Sequence, residues 1–169
     1  ALMGIEKGKT VVWDAGVRSI LGIDRLKNTL KNVDYLVINQ VEMKNLTGED
    51  DPVVARDALS KINEEIVLLA KLGERGCQMI GPQEAITVKP IDLKGLGMKV
   101  VNTVGCGDAF LGVFIASKAE GSDDKEALER ANLAGALKAT RHETRGSPKK
   151  TELEKCLEFR ECGELIKRV

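Results

Sequence analysis

Residues 102–110, Asn-Thr-Val-Gly-Cys-Gly-Asp-Ala-Phe, carry the residue types and spacing in this chain most capable of chemistry. Gly105 and Gly107 bracket Cys106 just before an apolar, helix-compatible run over 110–119, and Asp108 falls in the first turn of that helix. A helix start leaves backbone N–H groups without intrahelical partners and carries partial positive charge, so anions settle there, phosphates above all. Glycines on either side of Cys106 remove the Cβ atoms that would keep a phosphate away from the backbone. A carboxylate is out of place in an anion pocket unless it has work to do, and Asp108 is well placed to take a proton from an attacking hydroxyl. The same residues also read as a chain reversal followed by a dipole-compensating acid, and the turn alone leaves both readings open.

Weaker candidates surround it. Asn39 and Glu42 follow a short apolar run and set two oxygen-bearing side chains three residues apart. Magnesium takes such ligands and usually keeps several waters, whereas an N-cap Asn with Glu at the third helical position is also simply good capping. Lys71-Leu72-Gly73-Glu74-Arg75-Gly76 is a tight turn whose lysine either reaches a phosphate or is a solvated edge charge. Asp14 and Arg18 follow the first apolar run, facing a cleft or forming a local ion pair. Asn132 lies in Asn-Leu-Ala-Gly-Ala-Leu, whose small residues let a helix pack closely.

The elements that must position these residues follow from hydrophobic pattern. Buried strands are expected over 10–15, 35–39 and 65–72, a hairpin partner over 77–80, and further strands over 85–88 and at Val100-Val101. Helical spacing covers 19–30 and a short stretch over 42–46. Asp51-Pro52 opens a helix running to about 63. The helix after the glycine turn ends near Gly121. Ser122 or Asp123 caps another, to about Arg141, and Thr151 with Glu154 forms a capping box for the last. Alternating strands and helices imply an α/β fold: a mainly parallel sheet flanked by helices, with an antiparallel hairpin toward one edge. Ligands of such sheets sit at the carboxyl ends of the strands, and segments 39–42, 71–76 and 105–108 all follow strands.

Composition narrows the function classes. The chain of 169 residues has 26 Lys plus Arg and 26 Asp plus Glu, so no nucleic-acid or membrane footprint is visible in the net charge. Four cysteines (Cys77, Cys106, Cys156, Cys162) include no C-x-x-C pair, and His142 is the only histidine, which removes a zinc site of ordinary spacing. A disulfide framework is not expected, and a reducing, cytoplasmic setting is. No apolar stretch has the length of a membrane span. The first nine residues lack a signal-peptide layout and lead directly toward a core-like strand, like the middle of a larger protein.

Taken together these segments resemble, in order, the motifs of the ribokinase-like (phosphofructokinase-B) family of carbohydrate kinases. Thr103, Gly105, Gly107, Asp108 and Phe110 match that family's D-T-x-G-A-G-D-x-F signature, with Asn102 in place of Asp and Cys106 in place of Ala. Residues 39–42 are similar to its N-x-x-E motif, 71–76 to its T-x-G-x-x-G turn with Lys71 for Thr, and 14–18 to its D-x-N-x-R segment with Gly16 for Asn. Residues 139–141 are similar to its V-T-R helix end. The resemblance implies ATP and Mg2+ as cofactors, with Asp108 as catalytic base and Gly105, Cys106 and Gly107 as the anion hole. It implies nucleotide contacts from Asn39, Lys71, Gly73, Glu74, Gly76, Thr103 and Asn132, the last near the adenine. Asn39 and Glu42 would organise magnesium, mostly through water. The glycine expected soon after Arg141 is absent, with Glu143 near its place, which leaves the family's monovalent-cation site open.

A complete family member begins with a substrate-binding half and a β-sheet lid, neither recognisable here. Residues 1–169 therefore read as a single α/β domain, the nucleotide-binding and catalytic-base half of a larger kinase. The implied reaction is ATP-dependent phosphotransfer to a hydroxyl of a sugar, sugar acid or nucleoside, with the isolated chain inactive. Three alternatives stay open: a nucleotide-binding or interaction domain without turnover, a vitamin kinase of the same fold, and an ATP-dependent nicotinamide-hydrate dehydratase. The implied partner is a small-molecule substrate, with no nucleic acid or membrane, and the complete enzyme is a candidate homodimer.

Overall fold

The computed structural model describes residues 9–166. The chain divides between Pro90 and Ile91 into two compact units. The first contains β1 (Val12–Asp14), a 3-10 segment (Gly16–Leu21), α1 (Gly22–Leu30), β2 (Tyr35–Asn39), α2 (Gln40–Thr47), α3 (Pro52–Ser60), β3 (Val67–Lys71), a 3-10 turn (Gly73–Arg75), β4 (Cys77–Ile80) and β5 (Ala85–Val88). Its five strands lie in the order β1-β2-β3-β4-β5. β1, β2 and β3 are parallel, while β4 and β5 run antiparallel to their neighbours. This is a mixed sheet with helices against it, the arrangement that the resemblance to ribokinase-like kinases leads one to expect.

The sheet forms because β2 and β3 are short apolar runs buried in all three of their central residues. Leu36, Ile38, Leu68 and Ala70 belong to one core with Leu26 and Leu30 of α1, Met43 and Leu46 of α2, and Ala55 and Leu59 of α3. In register Asp14 lies opposite Val37, Val37 opposite Leu69, and Asn39 opposite Lys71. The carboxyl ends of the three parallel strands therefore bring Asp14, Asn39 and Lys71 to one edge, the edge where such sheets hold ligands.

In the second unit a loop leads to α4 (Cys106–Ala119), α5 (Asp124–Ala139) and α6 (Lys150–Ile166). α4 and α5 form an antiparallel hairpin: Lys118 pairs with Asp124 at one end (2.6 Å), and Gly135 lies under the Cys106 carbonyl at the other. Asp123 is the N-cap of α5, its Oδ1 accepting from the Glu126 N–H at 2.8 Å. Leu133, Ala134 and Leu137 of α5 form a core with Leu153 of α6.

Several sequence expectations need correction. The helix expected over 19–30 begins as the 3-10 segment and becomes α-helical only from Gly22, and Ile20, apolar at helical spacing, is 73% exposed. α3 stops at Ser60, beyond which the Asn63 Nδ2 donates to the carbonyls of Leu30 and Val33. Val100 and Val101 form no strand. The N–H groups of Val101 and Asn102 both donate to the Ala139 carbonyl, at 2.7 and 3.1 Å, so the end of α5 takes the bonds a neighbouring strand would take. The last helix starts two residues earlier than a capping box of Thr151 and Glu154 would place it. It begins at Lys150, and Glu152 Oε2 accepts from the Lys149 N–H at 2.6 Å. Among the described residues no helix is long and apolar enough to cross a membrane.

Candidate functional site

The glycine turn is built by a chain of short-range bonds. Asn102 Oδ1 accepts from the Val104 N–H at 3.0 Å, and its Nδ2 donates to the His142 carbonyl at 2.9 Å. An aspartate could accept the first bond but has no N–H for the second, so Asn102 anchors the turn to the segment after α5 in a way the usual Asp could not. The Thr103 carbonyl accepts from the Cys106 N–H at 3.2 Å. Gly105 then takes φ 84° as N-cap of α4, and a Cβ there would lie 2.6 Å from the Thr144 carbonyl oxygen. Both facts require glycine.

This geometry decides which amides remain available. Of the three proposed anion-hole donors, Cys106 is committed to Thr103, while the N–H groups of Gly105 and Gly107 donate to nothing among the described residues. The Asp108 N–H is likewise free. Asp108 itself is exposed in the first turn of α4, and its carboxylate makes no hydrogen bond or ion pair among the described residues. Thr103 is also exposed. Asn132 is half-buried on α5, one turn before Gly135, which packs 3.3 Å from the Cys106 carbonyl when a Cβ is built on it. Behind the turn, fully buried Lys138 donates from Nζ to the Asn102 carbonyl at 3.3 Å. Burial pushes the Cys106 thiol up, and the charge of Lys138 pulls it part of the way back.

In the first unit Asn39 and Glu42 make a complete capping box. Asn39 Oδ1 accepts from the Glu42 N–H (2.9 Å), and Glu42 Oε2 accepts from the Asn39 N–H (2.8 Å). One carboxylate oxygen of Glu42 has no part in that pair. This suits magnesium held through water better than a dense ligand cage, and among the described residues no group of three or more His, Cys, Asp or Glu gathers to hold a metal.

Lys71 is neither a solvated edge charge nor a free cation. Its Nζ lies 2.8 Å from Asp14 Oδ2, with both side chains mostly buried, and Asp14 Oδ1 accepts from the Gly16 N–H. Asp14 thus pairs with Lys71 rather than with Arg18, which is exposed. Gly73 and Glu74 are exposed on their turn, whereas Gly76 is buried. A Cβ on Gly76 would lie 2.1 Å from the Val88 carbonyl oxygen, so close approach of the chain after β5 is sufficient reason for that glycine.

Sequence reasoning missed two contributors here. Gln40 bridges the start of α2 to the turn, donating to the Leu72 carbonyl and accepting from Arg75, each at 2.8 Å. Lys138 had a legible signal: a lone charge within the small and apolar stretch Leu133 to Ala139, in phase with buried Ala131 and Ala134.

Comparison with known proteins bears on this geometry. Residues 5–151 match the pfkB family of carbohydrate kinases. An ATP-dependent ribose-1-phosphate kinase of Halopiger xanaduensis is 33% identical over 143 residues, which cover 85% of this chain and 44% of that protein. An uncharacterised sugar kinase of Archaeoglobus fulgidus is 31% identical over 133 residues, 78% of this chain and 50% of that protein. The chain thus spans about half the length of the curated relatives it matches. Among solved structures, a putative ribokinase II from E. coli in complex with ATP and Mg2+ superposes with a TM-score of 0.76 at 25% identity, over 89% of this chain and 49% of that one. With a glycine turn that leaves helix-start amides free, a ribokinase-like sheet and a family match over most of its length, this chain belongs to the pfkB carbohydrate kinase family.

Proposed function

We propose that this chain is the nucleotide-binding and catalytic-base half of an ATP-dependent kinase acting on a hydroxyl of a sugar, sugar acid or nucleoside. The observation that carries the reading is the start of α4, where free amides of Gly105, Gly107 and Asp108 stand beside an exposed, unpaired carboxylate. Phosphoryl transfer asks little covalent chemistry of the protein. It asks for positioning and for charge stabilisation where negative charge develops. The Gly105 and Gly107 amides supply that stabilisation, and the Cys106 amide, spent on Thr103, fixes the turn that aims them. Asp108 accepts the proton of the acceptor hydroxyl as its oxygen attacks the γ-phosphorus.

Magnesium, when bound, supplies charge neutralisation on the phosphates. Asn39 and Glu42 are the residues fitted to hold it through water. Glu74 and the exposed Gly73 backbone are the parts of the turn that can line a nucleotide, with Gly76 setting the turn's shape. Lys71 contributes through its pair with Asp14 at the strand ends, not as a free phosphate ligand. Thr103 and Asn132 flank the nucleotide in the second unit.

Asp108→Asn in the complete enzyme tests the assignment. Turnover should fall about 10²–10⁴-fold, the range of a lost general base, with ATP affinity nearly unchanged. Undiminished turnover removes Asp108 as the base.

A further inference from the structure

Lys138 is the only charged side chain among the described residues that is buried. An ammonium without solvent is costly unless something compensates it. Its observed compensation is the Asn102 carbonyl at 3.3 Å, and its Cε lies 3.5 Å from where a Cβ on Gly105 would stand. The same carbonyl faces Cys106 Sγ at 3.9 Å. The charge therefore sits directly behind the turn, whose other amides, those of Gly105, Gly107 and Asp108, are free. In a water-poor interior a fixed charge acts over a longer reach than it would at the surface.

We propose that Lys138 is a positioning residue: its buried ammonium clamps the Asn102 carbonyl, holds residues 102–107 in their anion-receiving shape, and adds fixed positive charge behind an anion bound at the start of α4. Identifying that anion as the terminal phosphate of a nucleotide rests on the function proposed above. The clamp itself does not. If Lys138 only filled space, a methionine of similar length would serve equally well.

Two measurements on the full chain and its Lys138→Met variant decide this. The first is the pH profile of iodoacetamide labelling at Cys106, followed by peptide mass spectrometry. Loss of the Lys138 charge should move that profile to higher pH, because the charge now favours the Cys106 thiolate. The second is calorimetry with tripolyphosphate and with ATP–Mg2+. Affinity should weaken about ten- to hundredfold, the effect of losing one charge-assisted hydrogen bond. Ethylammonium should restore part of that affinity in Lys138→Ala. Should neither variant fold, the unmodified protein still answers. A buried ammonium gives a slowly exchanging Lys Nζ–H3 signal by ¹H–¹⁵N NMR that shifts on adding tripolyphosphate, and absence of such a signal overturns the clamp. An unshifted Cys106 profile overturns it too, whether affinity is kept or lost. A shifted profile in a chain that binds tripolyphosphate but not ATP sustains the clamp and removes the nucleotide reading.

Discussion

Glu42 shows why capping and catalysis are hard to tell apart from residue type. Its carboxylate closes a capping box with Asn39, and nothing in that pairing needs a negative charge, only an acceptor. Glu42→Gln keeps the acceptor and removes the charge. It should leave the melting temperature within about a degree or two of the parent, since a cap of this kind is worth only about 1 kcal/mol in total. It should also raise the magnesium concentration needed for half-maximal turnover of the complete enzyme. Glu42→Ala should do both kinds of damage. If Gln and Ala differ only in stability and neither alters the magnesium requirement, Glu42 is a cap and nothing more. Cys77 gives a prediction of opposite character. Burial alone pushes its thiol from an ordinary 9.0 up to about 12, so the folded chain disfavours the thiolate. The folded pKa is above the unfolded one. The stabilisation is therefore fully present below pH 9.0 and is lost as pH rises toward about 12, at up to roughly 1.4 kcal/mol per pH unit. Thermal melts at pH 8 and pH 10.5 should show a larger alkaline loss for the parent than for Cys77→Val. Equal losses would mean that other groups govern the alkaline limb.

The α4 start depends on backbone conformation more than on any side chain. Gly105 combines φ 84° with a carbonyl 2.6 Å from where a Cβ would be. The left-handed conformation alone costs an L-residue about 1–2 kcal/mol, and the contact with Thr144 adds to it. Gly105→Ala should lower the melting temperature by several degrees at about 2–4 °C per kcal/mol, and it should weaken anion binding beyond what the lost stability explains. Gly112, in the middle of α4 with open space around it, serves as the control: Gly112→Ala should be neutral or stabilising. This helix start was legible in the sequence, as were β2, β4 and β5 to the residue, because each is a short apolar run bounded by turn-forming residues. What escaped reading has one physical cause. Lys71 finds its partner Asp14 57 residues away, and Val101 gives its N–H to Ala139 instead of to a strand. Hydrophobic period says that a segment is buried but not which distant carbonyl or carboxylate completes it. The 3-10 segment before α1 shows the converse, since helical spacing at Ile20 did not bring burial.

The described chain consists of two compact units joined where regular structure is sparse. Lys94 and Lys99 are exposed in that connecting stretch, outside any helix or strand. Limited trypsin digestion should cut there first, since exposed irregular segments are the preferred sites of nicking. First cuts within α3 or α5 would contradict the division. The chain covers 50% and 44% of the two relatives compared above, so under the proposed function the residues that choose an acceptor are expected outside it. Binding and turnover should therefore separate. Amides at a helix start need only their own turn to attract a phosphate, whereas transfer by the proposed route also needs an acceptor hydroxyl held within reach of the proposed base, Asp108. The 169-residue chain should bind ATP–Mg2+ by calorimetry, more weakly as ionic strength rises, without phosphorylating ribose, fructose or inosine in a coupled assay. A complete kinase of the proposed kind that includes these residues should transfer phosphate to one such acceptor and lose that activity with Asp108→Asn. Acceptor phosphorylation by the isolated chain would show that the acceptor site lies within these residues. Failure of both forms to bind ATP would remove the kinase reading while leaving the family membership and the fold intact.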